Sequence, residues 1–428
     1  MSVVALAPET EEVAAPEGRI VSVARVRGMG IFLVLLAIIM FGPFGLSVGA
    51  HVHATFLLSA PPATGVAPLT LPVRWVSVPL ALVCAALGAT LLARPHRRGT
   101  YVLFALGVVI FLWSFLSWTA RGGELNFVDL LLESLAYATP LLYGSMSGMM
   151  CERSGVVNIA IEGQFLAGAF LGAMISSATS NLWLGVLAGA VAGAIFGGLL
   201  AFLALRYGAD QIIVGVVIVA FCTGLTNFLT EQVLSPDQNL NQGLTFSPFG
   251  IPLLDKIPVL GPALFNQNYF FYGAIVLLVL LHVGLFKTRW GLRSRAVGEH
   301  PRAAETVGIH VLSVRYRNVV LGGVIAGIGG AWFTIGNVGE FSAEMTAGLG
   351  YVALAAMIFG RWRPFGALGA ALLFGFSVSL QSFLAVLNVG IPSPFLSMAP
   401  YVITIAVVSG LVGRVRPPAA DGVPYSRE

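Results

Sequence analysis

The sequence predicts an all-α, polytopic transmembrane helical bundle of about twelve spans, with roughly ten to twelve compatible with the pattern and both termini cytoplasmic. Three observations carry that expectation. Of 428 residues, 57% are hydrophobic and only 10% charged, where soluble domains carry about 25% charged residues; the mean hydropathy is +0.89. Apolar runs near the bilayer-crossing length of about 20 residues recur along the chain. Lys and Arg cluster at alternate ends of those runs, as they do in cytoplasmic loops.

Residues 1–28 form the N-terminal cytoplasmic tail. Its first 18 mix small residues with Glu9, Glu11, Glu12 and Glu17 and have no sustained apolar period, so they are expected to be loose. Arg19, Arg25 and Arg27 then hold the start of the first run (29–49) inside. Residues 51–71 hold no Lys or Arg and face outward; run 75–92 returns to Arg94, His96, Arg97 and Arg98; run 101–119 leads out. With no polar group at their centres that asks for a function, the three spans of 29–120 read as an accessory unit.

From residue 125 polar groups enter the apolar runs, and 125–415 is read as the core. Its spans are expected at 127–150, 158–177, 182–205, 212–229, 269–286, 318–335, 365–387 and 397–412. Run 346–359 is only about 14 residues, short for a full crossing of about 20, and suits a half-helix or a short, steep span. In 182–205, Gly185, Gly189, Gly193 and Gly197 stand four apart, on one helical face, where they let another helix approach closely. Residues 231–268 carry one basic residue, Lys256, and form an external loop. Residues 416–428 are a cytoplasmic C-terminal tail.

Two stretches stand apart from this apolar body. Residues 287–317 contain Lys287, Arg289, Arg293, Arg295, Arg302, Arg315 and Arg317, which places them in the cytoplasm. There Pro301 can open a short helix, its missing N–H costing nothing at the first position, and Gly308 can close it in a left-handed conformation. In 151–163, CERSGVVNIAIEG, ionisable and amide groups lie against the hydrocarbon. Such groups face a cavity or pair within the bundle, and Gly155 and Gly163 allow a helix break of the kind transporters place near their substrate path. Glu152 and Arg153 read as inner-surface residues. Asn158 and Glu162, four apart on an expected helical face, read as lining or bracing a translocation region.

No catalytic or metal site emerges. There is no G-x-x-x-x-G-K-[ST] to hold ATP phosphates and no H-E-x-x-H, and a serine nucleophile turn at 144–148 fails because position 146 is Met146. Cys84, Cys151 and Cys222 are dispersed without metal-ligand spacing and read as buried thiols. Nothing calls for a nucleic-acid partner, and the lipid bilayer is the expected surrounding.

The segments ERSGVVNIAIEGQFLAGAF (152–170), LRSRAVGEHPRAAETVGI (292–309) and VALAAMIFGRWRPFGALGAALLFGF (352–376) resemble permease subunits of ATP-binding cassette (ABC) importers. The resemblance is to the branched-chain amino acid and ribose type, most closely to permeases of nucleoside uptake. It implies a plasma-membrane permease, not an enzyme, that pairs with a second homologous permease. It further implies two cytoplasmic ABC ATPase domains and an extracytoplasmic solute-binding lipoprotein or periplasmic protein. No cofactor would sit in this chain, ATP and Mg²⁺ being bound by the ATPase. It also gives 299–308 the role of a coupling helix, through Glu299, His300, Pro301, Arg302, Glu305 and Gly308. Alternatives left open are a permease for ribose-like sugars or branched-chain amino acids, and an ion-coupled secondary transporter using Glu162.

Overall fold

The computed structural model describes residues 23–60, 65–95, 99–386, 398 and 416–425. The expected span at 397–412 therefore falls outside the described residues, Met398 excepted. The chain divides into two compact units, 1–54 with 71–122 and 55–70 with 123–428.

In the first unit, α1 (Val23–Ile39) runs on through a wider π-type turn at Met40–Leu46, where Pro43 has no N–H for the regular ladder. The strands β1 (His53–Leu57) and β2 (Leu69–Pro72) lead to α2 (Val73–Ala93) and α3 (Thr100–Thr119). Helices α1 and α2 cross at Gly30 and Gly88: a Cβ on either would lie 2.9 Å from the other's carbonyl oxygen. Phe44 packs into a ring cluster with Phe111, Phe115 and Trp118.

The second unit takes in residues 55–57 of β1, and β3 (Glu124–Asn126) runs parallel to them with Phe56 opposite Leu125. Asn126 caps α4 (Phe127–Glu152), its Oδ1 accepting from the N–H groups of Val128 and Asp129. Then come α5 (Ile161–Thr179), α6 (Leu182–Ala201) and α7 (Gln211–Leu229). Asn181 and Asp210 cap α6 and α7 in the same way as Asn126. The expected external loop carries β4 (Phe249–Gly250), the short α8 (Leu260–Phe265) and β5 (Asn266–Gln267), with β4 and β5 antiparallel. The chain continues through α9 (Tyr269–Lys287), α10 (Arg289–Glu299), α11 (Pro301–Thr306), α12 (Val311–Ala331), α13 (Leu349–Phe359) and α14 (Pro364–Val386).

Among the described residues eight helices are long and apolar enough to cross a membrane: α1, α2, α3, α6, α7, α9, α12 and α14. Helices α4 and α5 carry more polar groups yet lie deepest, every residue from 138 to 152 being buried. The glycine ladder of α6 meets α12. A Cβ at Gly193 would fall 2.0 Å from the Gly323 carbonyl oxygen and one at Gly189 2.9 Å from that of Gly327, so backbone packs on backbone. The opposite face of α6 exposes Trp183, Leu187, Val191 and Ile195, again four apart, as expected of a face turned to lipid.

Three sequence expectations change. Helix α12 starts at Val311, seven residues before position 318, and so takes in Arg315 and Arg317. Arg315 is completely buried, and its charge suggested loop only because its carbonyl partners lie over a hundred residues away. The chain is not helical at Asn158: Gly155 turns it at φ +85° and α5 begins at Ile161. Glu152, read as an inner-surface residue, is 5% exposed, because the turn before α14 closes over it.

Candidate functional site

Two polar assemblies stand out, one inside the bundle and one around 287–317. In the first, the 161–162 end of α5 meets the start of α13. Glu162 Oε1 accepts from the Thr346 hydroxyl at 2.6 Å and from the Gly348 N–H at 2.8 Å; Oε2 accepts from the Gly350 N–H at 2.6 Å. The first N–H groups of a helix have no partner within it and carry its positive dipole end. A carboxylate from another helix therefore supplies acceptors to the first turn of α13. Gly350 permits the approach, since a Cβ there would lie 2.6 Å from the Glu162 nitrogen.

Asn158 belongs to a separate network. Its Nδ2 donates to Ser147 Oγ at 3.3 Å and to Gln164 Oε1 at 3.2 Å, and Gln211 Oε1 takes the neighbouring Val157 N–H at 2.7 Å. The two residues expected to share a face thus act apart. Asn158 ties the α4–α5 link to both of its helices, and Glu162 anchors α13.

In the second assembly, α11 forms where proline and glycine punctuate the sequence. Pro301 is its first residue and Gly308 adopts φ +84°, with open space around the position of a Cβ. Helix α10, unforeseen from sequence, carries it. Gly298 lets α10 press on the α4–α5 link, a Cβ there being 2.3 Å from the Arg153 carbonyl oxygen. Asn318 Nδ2 donates to Ser294 Oγ at 2.9 Å and Trp290 Nε1 to Asn318 Oδ1 at 3.2 Å, binding α10 to α12. Ala304 packs into a small core with Val297, Val311 and Val314. Arg302, Ala303, Thr306 and Val307 remain exposed, and so do Glu299 and His300.

Residues 416–425 fold back onto this assembly. The Ala420 N–H donates to the Gly298 carbonyl at 2.9 Å and the Ala419 N–H to Glu299 Oε2 at 3.2 Å. The Tyr425 hydroxyl donates to Glu305 Oε2, and Glu305 is half-buried where Arg302 is exposed. Arg315 donates through Nη1 to the Val423 carbonyl at 3.0 Å and through Nη2 to that of Ala420 at 3.4 Å. The Asp421 carboxyl lies beside Glu152, whose Oε2 accepts from Trp362 Nε1 at 2.6 Å. Arg153 Nε and Nη2 hold the Trp362 carbonyl at 3.1 and 2.9 Å. The ends of α4, α10 and α12 and the turn before α14 thereby converge on one ten-residue strap. Sequence reading missed Trp362, Arg315, Asp421 and Tyr425; the one signal available was the Asp421-Gly422 pair, a turn dipeptide in a tail otherwise left open.

Burial pushes the Asp421 carboxyl up to about 7, against the opposing pull of the neighbouring Glu152 carboxyl group and the Arg315 cation. A carboxylate raised on docking favours the docked strap below its ordinary range, and the advantage is lost as pH rises through about 7. Amide protection across 416–425, corrected for intrinsic exchange, is therefore expected to fall between pH 6 and 8. Asp421→Asn should flatten that dependence; an equal pH dependence in both proteins would refute the assignment.

The fold and these assemblies define a polytopic helical membrane protein with interrupted, glycine-packed helices, the architecture of a transporter. The particular family follows from comparison: residues 130–413 match the family model described as the branched-chain amino acid transport system / permease component, and the chain belongs to that family. It is 40% identical over 307 residues to the nucleoside ABC transporter permease protein NupC of Lactococcus lactis, which covers 68% of this chain and 94% of the relative. It is 40% identical over 303 residues to the guanosine ABC transporter permease protein NupQ of Bacillus subtilis, with the same coverage. Against the putative glucose ABC transporter permease protein TsgC13 of Haloferax volcanii it is 32% identical over 322 residues, 70% of this chain and 98% of the relative. No solved structure matches the chain. The protein is a multi-pass permease of the plasma membrane.

Proposed function

We propose that the chain is the membrane-spanning permease subunit of an ABC importer that takes up nucleosides. The observation that carries this reading is 40% identity to nucleoside and guanosine permeases over 94% of their length. Separate ATPase subunits, which bind ATP and Mg²⁺, supply the energy by alternating access. A second permease and an extracytoplasmic solute-binding protein complete the system. Helix α11, with Glu299, His300, Pro301, Arg302, Glu305 and Gly308 around it, meets the ATPase; Asn158 and Glu162 brace the translocation region. Adding α4, α5, α13 and the run 397–412 to the eight apolar helices gives twelve crossings with both termini inside. A cavity of about 580 Å³ lined by Gln238, Asn241, Gln242, Ser235 and Glu340, among others, then lies on the outer side and offers amides and hydroxyls suited to a neutral polar solute.

The glucose-permease relative supports a second reading, a sugar as solute. An ion-coupled carrier using Glu162 is disfavoured, because three donors already occupy that carboxylate. In cells expressing the whole system, nucleosides should displace one another at least tenfold better than ribose, glucose or branched-chain amino acids. The reverse order moves the assignment to a sugar or amino acid solute. Copurification of an ATPase with the permease separates an importer from a carrier.

The topology is tested on exposed positions in a cysteine-free background. Ala303→Cys should react with an impermeant thiol reagent only after permeabilisation, and Gln242→Cys in intact right-side-out vesicles. The opposite pattern would invert every loop.

A further inference from the structure

The C-terminal residues of a permease are readily taken for a solvated tail, yet here 416–425 make directed contacts with every element that supports α11. Three of the contacts concern the coupling segment itself: Ala420 N–H on the Gly298 carbonyl, Ala419 N–H on Glu299, and the Tyr425 hydroxyl on Glu305. Two more fix the strap to the membrane body, from the buried guanidinium of Arg315 to the carbonyls of Val423 and Ala420. The strap is also locally preformed. The Asp421 N–H bonds the Pro418 carbonyl and the Val423 N–H that of Ala420, with Gly422 at φ +74°. Pro417, Pro418 and Pro424 restrict the chain on either side, which lowers the entropy lost on docking.

Helix α11 has six residues, too few to hold its shape alone, since helices shorter than ~12 residues are marginal in water. Ala304 packs it on one face. Glu299, which ends α10 just before it, and Glu305 in its last turn are both taken by the strap.

We infer that residues 416–425 act as a positioning element for energy coupling, holding α11 rigidly against the ends of α4, α10 and α12 so that a push on α11 moves those helices together. Tyr425 and Arg315 are its positioning residues. The inference rests on the importer reading for the source of the push, and on the structure alone for the strap. With the strap in place, displacement of α11 is carried through Gly298 and Arg153 to the α4–α5 link, and through Ser294 and Asn318 to α12. Without it, the hold on Glu299 and Glu305 is lost and the stroke is dissipated.

The test uses the full importer complex reconstituted in lipid vesicles. It compares the complete chain, a chain ending at residue 415, and Tyr425→Phe, which loses one hydroxyl and keeps the ring and the Arg315 contacts. Amide exchange across 299–308 is expected to speed up at least tenfold in the truncated chain and about threefold in Tyr425→Phe. Solute stimulation of ATP hydrolysis and uptake should fall in the same order, while subunit assembly and basal hydrolysis stay at the level of the complete chain. A synthetic peptide of residues 416–428, added to the truncated complex, should restore protection and part of the stimulation. Truncation leaves the Arg315 guanidinium short of acceptors and could unfold the chain; Tyr425→Phe does not, and decides the matter if it does. Unchanged exchange at 299–308 in Tyr425→Phe overturns the strap, and faster exchange with full solute stimulation overturns its part in coupling. If the complete chain retains no ATPase, the importer reading falls, and the exchange comparison still decides whether the strap holds α11.

Discussion

Replacing Gly193 by valine is expected to abolish the folded permease, giving aggregated protein in mild detergent where the unaltered chain runs as a single species. A Cβ at 193 would stand 2.0 Å from the Gly323 carbonyl oxygen and 2.6 and 2.7 Å from the Gly327 nitrogen and Cα. All three are backbone atoms of α12, so no rotamer change relieves the contact. Carbon contacts settle near 3.5–4.0 Å, and the helices would have to separate by more than an ångström along their whole crossing. Overpacking of an ordinary core costs about 1–3 kcal/mol. This site lies above that range, because helices in lipid associate through van der Waals packing with no hydrophobic drive to compensate. Separation would also open the contacts of Gly189 and Gly197 with α12. Gly193→Ala should be milder and still clearly destabilised. Gly224→Ala is the control, since nothing lies within 4 Å of a Cβ there and alanine is the better helix former. Thermal stability in detergent, followed by size-exclusion chromatography, reads the difference; a Gly193→Val chain as stable as Gly224→Ala would rule out the close crossing.

The same crossing marks how far the sequence reaches. Four glycines at a spacing of four state that one face of α6 meets another backbone, but nothing in that period names α12, because the pairing of distant helices depends on the whole bundle. Likewise Pro301 and Gly308 bound α11 to within a residue, since each acts through its own backbone. Arg315 misled for the opposite reason: a charge beside an apolar run reads as a loop unless its partners are known, and those partners are carbonyls at Ala420 and Val423. Asn158 and Glu162 stand in the sequence as polar groups against the hydrocarbon, and both hydrogen-bond inside the bundle. Their supposed common face was not real, because the helix that would have made it starts at Ile161.

Glu162→Leu is expected to destabilise the permease strongly and to lower uptake in proportion to the protein lost. The side chain is 5% exposed and accepts from Thr346, Gly348 and Gly350; leucine offers none of them an acceptor, and water has little access. A buried donor left unsatisfied costs about 1–3 kcal/mol, so the three together reach roughly 3 kcal/mol at the low end. Loss of the carboxylate at the positive end of α13 adds to that. Glu162→Gln should lie between. Its carbonyl can still serve Thr346 and Gly348, while its amide nitrogen faces the Gly350 N–H, donor against donor. The expected order of melting temperature is therefore Glu, then Gln, then Leu, with uptake per folded molecule less affected than stability. A proton-carrying carboxylate predicts otherwise: Gln would abolish uptake, with full stability, as completely as Leu. Melting curves and uptake normalised to folded protein, measured on the three chains side by side, separate the two. Leu at the unaltered melting temperature with uptake gone would place Glu162 on the solute path and end the case for it as the anchor of α13.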